Sequence, residues 1–253
     1  MEAYIQSYLR GAASRARDTE RVGPFLATFS RHGANPFLNY AIPDDGATPS
    51  SDNVAALVAA YQRHERTPRL KYLPGVAAAV EAALVAGGFV VEGRLPLMVC
   101  APGAECDMPM PPVIELVAPV SDDDLFAMMV AQNEAYGDPT APSPAEVEGR
   151  KANLAAGGLA VLARDVATGE VVGGGQCDVP AEGVTELTSV GVRAAFRRCG
   201  IAGALAAWLV RGAFAAGATT VFLMAAHEAE TRIYARVGFS ATSEVLHISL
   251  PRG

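Results

Sequence analysis

The 253-residue chain carries 20 Lys and Arg against 27 Asp and Glu, a net charge of −7, which argues against a nucleic-acid binder that works through a basic face. Apolar residues make up 51% and charged residues 19%, enough for a packed core and far from the composition of a disordered chain. Four Cys without a C-x-x-C pair, and four His, form neither a disulfide scaffold nor a zinc site, so the reading is a reduced, cytoplasmic protein without a metal. The start, MEAYIQSYLR, lacks the basic-then-apolar order of a signal peptide. The longest apolar stretches, 76–91 and 201–210, are broken by Glu81 or stopped by Arg211 before the ~20 residues of a membrane span.

In chain order, VAALVAAYQRHE (54–65) has helical spacing, PRLKYL (68–73) reads as a strand and VAAAVEAALVAG (76–87) as a helix. Gly88-Phe89 and the strand runs VVEG and LPLMVC follow. Arg63, Arg66, Arg69 and Lys71 read as a solvated basic face. APGAECDMPMPP (101–112) holds four Pro, a density that suits neither helix interior nor central strand. It suggests a domain at 1–105, a linker at 106–112 and a second domain at 113–253.

That second domain opens with the strand VIELVAP (113–119). A helix follows with Ser121 at its N-cap, an acidic first turn, and Leu125, Met128, Met129 and Gln132 at helical spacing; Gly137 and Pro139 stop it. A second helix covers 143–156, with Ser143 as N-cap and Pro144 at the first helical position. LAVLARD and VVGGGQCDV make a hairpin around Thr168-Gly169, and TELTSVGV (185–192) is a further strand. Residues 201–216 form an apolar helix, 219–226 a buried strand and 228–237 a short helix ended by Gly238. Two strand-like runs finish the chain.

The first half repeats this ending in outline. An offset of 150 aligns Leu73 with Leu223, Ala79 with Ala229, Gly88 with Gly238 and Phe89 with Phe239. The order helix, strand, helix, Gly-Phe, strand is the same in both, so the chain reads as two related α/β units.

The stretch from Thr185 to Val210 runs from a strand through a basic loop into a helix, with Arg197-Arg198-Cys199-Gly200-Ile201-Ala202 at the junction. A helix start with free N–H groups and no bulk at Gly200 or Ala202 is a cradle for pyrophosphate, and equally an ordinary strand-to-helix turn. VRAAFRRCGIAGAL resembles the acetyl-coenzyme-A loop of the GNAT N-acetyltransferase superfamily, with Ala194 in place of a common Pro. RIYARVGF (232–239) resembles that family's second signature.

The resemblance covers about 113–250 and implies an acyl-coenzyme-A N-acyltransferase fold: a mixed, mostly antiparallel α/β sheet flanked by helices, in tandem with a degenerate first copy. It implies acetyl-CoA as co-substrate and an amine-bearing small molecule or peptide as acceptor, with neither nucleic acid nor membrane as partner and self-association left open. Backbone groups of Val190, Gly191 and Val192 would meet the pantetheine, and the N–H groups of Arg197, Arg198, Cys199, Gly200, Ile201 and Ala202 the pyrophosphate. Tyr234 would be the general acid and Glu186 the base. The carboxylate of Glu186 reads equally as a solvated strand residue, pointing away from the face of Leu187. His227 stands where many members place an Asn that touches coenzyme A. Ser189, Asp178 and Glu228 are further candidates.

The first half lacks this equipment: Ala47–Asp52 replaces the loop and Leu84 the Tyr. The expected activity is acetyl transfer to a primary amine by direct attack in a ternary complex. Transfer of another acyl group, or a non-catalytic acyl-CoA sensor or interaction module, is the alternative.

Overall fold

In the computed structural model, described over residues 1–31 and 35–251, the chain divides into two compact units, Met1–Leu97 with Thr242–Gly253, and Met98–Ala241. The first half runs α1 (Glu2–Ala16), β1 (Asp18–Val22), β2 (Phe25–Phe29), β3 (Ala41–Pro43), α2 (Ser51–Arg63), β4 (Arg69–Tyr72), α3 (Ala78–Ala86) and β5 (Val90–Cys100). The second runs β6 (Ile114–Val117), α4 (Asp122–Ala135), α5 (Pro144–Ala155), β7 (Leu159–Asp165), β8 (Val171–Cys177), β9 (Val184–Val192), α6 (Ile201–Ala215), β10 (Thr220–Met224), α7 (Glu228–Val237) and β11 (Ser240–Ser249).

In the first unit the strand order is β1-β2-β3-β4-β11-β5. β3 and β4 are parallel, and the last strand completes the sheet by pairing antiparallel with β4, Leu246 opposite Tyr72. The runs VVEG and LPLMVC are one strand, as are the two runs expected at the end of the chain. Pro96 is accommodated because a strand needs an N–H only where a ladder partner faces it. Arg69 is not on a solvated face: it is 2% exposed. Its guanidinium donates to His247 Nδ1 at 2.6 Å and to Glu92 at 2.9 Å.

In the second unit the order is β10-β9-β8-β7-β6, with the end of β5 beside β10. β6 to β9 are antiparallel neighbours, and β9 with β10 is parallel. α6 covers one face of the sheet through Ile201, Leu205, Leu209 and Val210, packed with Val161, Cys177, Leu187 and Leu223. α4 and α5 cover the other through Leu125, Met128 and Val147, packed with Ala160 and Leu162. Alternation along β7 to β9 assigns the two faces. Both helices start as the sequence indicates, Ser121 and Ser143 each closing a capping box with the residue three further on. The Pro-rich segment 101–112 lies in this unit. Met108 packs on the core, and the Cys106 N–H donates to Val237 O at 2.9 Å.

Candidate active site

The parallel pair β9/β10 is in register only from Val184↔Thr220 to Glu186↔Phe222. Beyond Glu186, β9 continues to Val192 with β8 on its other side, so its edge toward β10 has no strand partner among the described residues. A bulge accentuates the divergence. Gly174 pairs with Gly191 but Gln176 with Thr188, so β9 carries one more residue than β8 across that interval. Ser189 absorbs the bulge at φ +55°, a left-handed conformation costing a non-glycine residue about 1–2 kcal/mol.

α4 holds the bulge in place. The Gln132 side chain, 4% exposed, donates to Ser189 O at 2.7 Å, and the Tyr136 hydroxyl donates to Val190 O at 3.2 Å. A Cβ on Gly191 would lie 3.0 Å from Ala135 Cβ and 3.1 Å from Gln132 Cα, so this close crossing of helix and strand depends on glycine. Neither tether has a signature in the sequence. Gln132 is legible only as a polar residue on an apolar helical stripe, and Tyr136 carries no local signal.

At the end of β9 the chain turns through a short 3-10 segment, Ala194–Phe196, into α6. Gly200 is the N-cap of α6 at φ +85°, with no side-chain cap. The N–H groups of Arg198, Cys199, Gly200, Ile201, Ala202 and Gly203 have no hydrogen-bond acceptor among the described residues; the first paired one is Ala204, to Gly200 O at 3.1 Å. A helix N-terminus carries about half a positive charge, so six unpaired donors there form an anion site.

The two arginines divide the work. Arg197 turns inward: its N–H donates to Ala194 O, its Nε to Val192 O at 3.1 Å and its Nη2 to Ala135 O at 2.7 Å. Its backbone and side chain therefore brace the loop and do not join the row of unpaired donors. Arg198 is exposed at φ +63° without an ion pair among the described residues, leaving its charge available. Cys199 is exposed, its thiol donating weakly to Arg197 O at 3.4 Å. Ile201 is buried in the core and Ala202 half-buried beside it.

Tyr234 lies half-buried on α7, its ring edge-on to Phe239 at 6.0 Å. Burial, with Glu230 and Tyr136 adding to it, holds its phenol well above the ordinary value, so it is protonated across the neutral range. Its hydroxyl has no hydrogen-bond partner among the described residues. Glu186 is not the solvated carboxylate that one reading allowed: it is 8% exposed at the last paired position before the strands part. It does point away from Leu187, which is packed under α6. His227 is exposed at the N-cap of α7 and its side chain caps nothing. The side chain of Glu228 lies outside the described residues. Among the described residues no group of three or more His, Cys, Asp or Glu is placed to hold a metal ion. No described helix is long and apolar enough to cross a membrane.

Residues 125–239 match the model of the acetyltransferase (GNAT) family. No curated protein matches the sequence. Among solved structures, the chain is similar to a GCN5-related N-acetyltransferase from Kribbella flavida, 24% identical with a TM-score of 0.83, over 100% of this chain and 96% of that one. It is also similar to a GCN5-related N-acetyltransferase from Sphaerobacter thermophilus, 18% identical with a TM-score of 0.68, over 91% and 78%. A tandem GNAT protein from the clavulanic acid biosynthesis pathway is 12% identical with a TM-score of 0.63, over 90% and 79%. The C-terminal half therefore carries a GNAT acetyltransferase domain, and the GNAT fold extends across the whole chain, consistent with a tandem arrangement. The family implies an acyl-CoA co-substrate.

Proposed function

We propose that the second unit transfers the acetyl group of acetyl-CoA to a primary amine by direct attack in a ternary complex. The observation that carries this reading is the row of unpaired N–H groups from Arg198 to Gly203, set at the end of the strand whose edge is open. A pyrophosphate accepts several such donors at once. The edge of β9 past Glu186 has no strand partner among the described residues, so an amide-bearing arm can lie along it as an added strand would.

The chemistry is then short. The amine lone pair forms a C–N bond to the thioester carbonyl carbon, and the C–S bond breaks. Before the attack the acceptor's ammonium gives one proton to Glu186, directly or through water, which frees the lone pair. After the C–N bond has formed the nitrogen gives up a second proton, the departing thiolate receives the Tyr234 proton, and that second proton restores the phenol through solvent. Burial keeps the phenol protonated, so its proton is in place when the thiolate leaves.

Tyr234→Phe keeps the ring and its packing on Phe239 but removes the donor. It should lower kcat by ~10²–10⁴ while acetyl-CoA affinity changes little. Glu186→Gln should show a deficit that shrinks as pH rises and free amine accumulates. Coenzyme A release from acetyl-CoA over a panel of amines is the assay. Wild-type kcat in Tyr234→Phe would make the hydroxyl structural, and a Glu186→Gln deficit constant with pH would make the carboxylate a positioning group.

A further inference from the structure

The face of the second unit's sheet turned toward α5 carries polar groups that its own fold does not satisfy. Gln176 lies opposite Thr188 in the β8/β9 ladder, and the Asp178 N–H donates to Glu186 O at 3.0 Å. Alternation puts these four side chains on one face, opposite Cys177 and Leu187 in the core under α6. From above, Arg150 and Asn153 come down three residues apart on α5. Asn153 Nδ2 and Gln176 Nε2 both donate to Asp178 Oδ1, at 3.4 and 3.0 Å.

What remains is four buried atoms without partners: Gln176 Oε1, Thr188 Oγ1, Asn153 Oδ1 and Arg150 Nε. Gln176 as a whole is 6% exposed. Arg150 makes no hydrogen bond and no ion pair among the described residues. Burial holds its guanidinium below the ordinary value, with the Asp178 charge opposing only in part. Arg150 is half-buried with its Nε covered, and covered polar atoms are nearly always paired. Three oxygens able to accept and one cationic donor are the complement of a single ligand type. An ammonium brings three N–H donors, and a carboxylate matches the planar guanidinium fork.

We propose that the acceptor amine carries a carboxylate close to its nitrogen, as an amino acid does, with the ammonium among these oxygens beside Glu186 and the carboxylate on Arg150. This rests on the acetyl-transfer reading and narrows its acceptor from amines in general to zwitterions. A polyamine or a polycationic sugar would leave Arg150 unpaired and add positive charge beside it.

The test uses the full chain saturated with coenzyme A for binding, and with acetyl-CoA for turnover. The probes are the common L-amino acids and the decarboxylated amine of each. At least one amino acid should bind and should exceed its own amine in kcat/KM by ~100-fold or more. Arg150→Met should erase that ratio by lowering kcat/KM for the amino acid without lowering it for the amine, and Arg150→Lys should restore part of it. A fold defect alone would lower both substrates together. Amines without a carboxylate reacting as well as amino acids would overturn the inference and leave acetyl transfer standing. So would a ratio unmoved by Arg150→Met. Arg150-dependent binding of an amino acid without coenzyme A release would uphold the acceptor class and overturn the transfer. No binding by any amino acid would mean that water satisfies these groups, and the inference fails.

Discussion

Ser50 and Gly200 hold the same place 150 residues apart, the N-cap of α2 and the N-cap of α6. Ser50 closes its helix start from within. Its hydroxyl accepts the Asn53 N–H and the Asn53 side chain accepts the Ser50 N–H. Gly200 closes nothing and leaves the loop's donors outward. The strands differ in the same sense. Leu70, which is 150 residues before Thr220, pairs with Ala41 as Thr220 pairs with Val184. Two residues on, Pro43 stands where Glu186 stands, and β3 ends there while β9 continues to Val192.

The gap past that pair in the first unit is bridged by a side chain. Gln6 is wholly buried, accepts the Leu73 N–H at 2.9 Å and donates to Pro43 O at 3.4 Å. Arg10 donates to the same carbonyl at 3.0 Å. Leu84, in the place of Tyr234, is fully buried. The two units thus share their packing and differ in their polar groups. At these matched positions the first unit pairs its backbone groups from within, whereas the second leaves the loop's N–H groups open, as a binding site must.

This comparison is broken most sharply at Gly200. Gly200→Val puts a β-branched residue at φ +85° and bulk over the donors. It should weaken acetyl-CoA binding by at least ~100-fold, the loss of two charge-assisted hydrogen bonds. Calorimetric titration of the folded variant checks it, and an unchanged affinity removes the loop from the site.

The next effect belongs to the first unit, at the buried contact between Arg69 and His247. Arg69 donates to His247 Nδ1, so the ring must be neutral there, and burial with Arg69 and Lys71 lowers its pKa to about 4. The folded value lies below the unfolded ~6.5, so the unfolded chain binds the extra proton between these limits. The contribution is complete above about pH 6.5 and is lost as pH falls toward 4, on the order of 3 kcal/mol. His247→Gln keeps an acceptor for Arg69 but cannot titrate. Its denaturant midpoint should vary less than the wild type's between pH 6.5 and 4, and parallel curves would refute the assignment.

The smallest effect is at Gln6. Gln6→Leu orphans the Leu73 N–H and should cost about 1–3 kcal/mol in stability with acetyl-CoA affinity unchanged. Thermal unfolding and titration together separate the two readouts. Loss of affinity at unchanged stability would mean that the first unit takes part in cofactor binding.

Much of the second unit was legible because its signals are local: Ser121 and Ser143 cap their helices, Thr168-Gly169 turns a hairpin, and Gly238 ends α7 in the left-handed region at φ +110°. The repeat was legible for the same reason, with Gly88 at φ +87° and Phe89 buried like Phe239. α1 was missed because its N-cap, Met1, offers no capping side chain. The return of the chain to the first unit at Thr242 is a pairing between β11 and β4, some 176 residues apart, which no local pattern encodes. In the site, the loop and Tyr234 were visible as motifs. The tethers Gln132 and Tyr136, and the orphan Arg150, were not, because a polar residue on a helix reveals its partner only once the strands are in register.

The central claim is that one unit holds a working acyl-CoA site and its copy does not. Calorimetric titration of acetyl-CoA into the full-length chain measures this most directly. The account predicts one site per chain, lost in Gly200→Val and retained in Gln6→Leu. Two sites per chain, or one site that survives Gly200→Val, would contradict it.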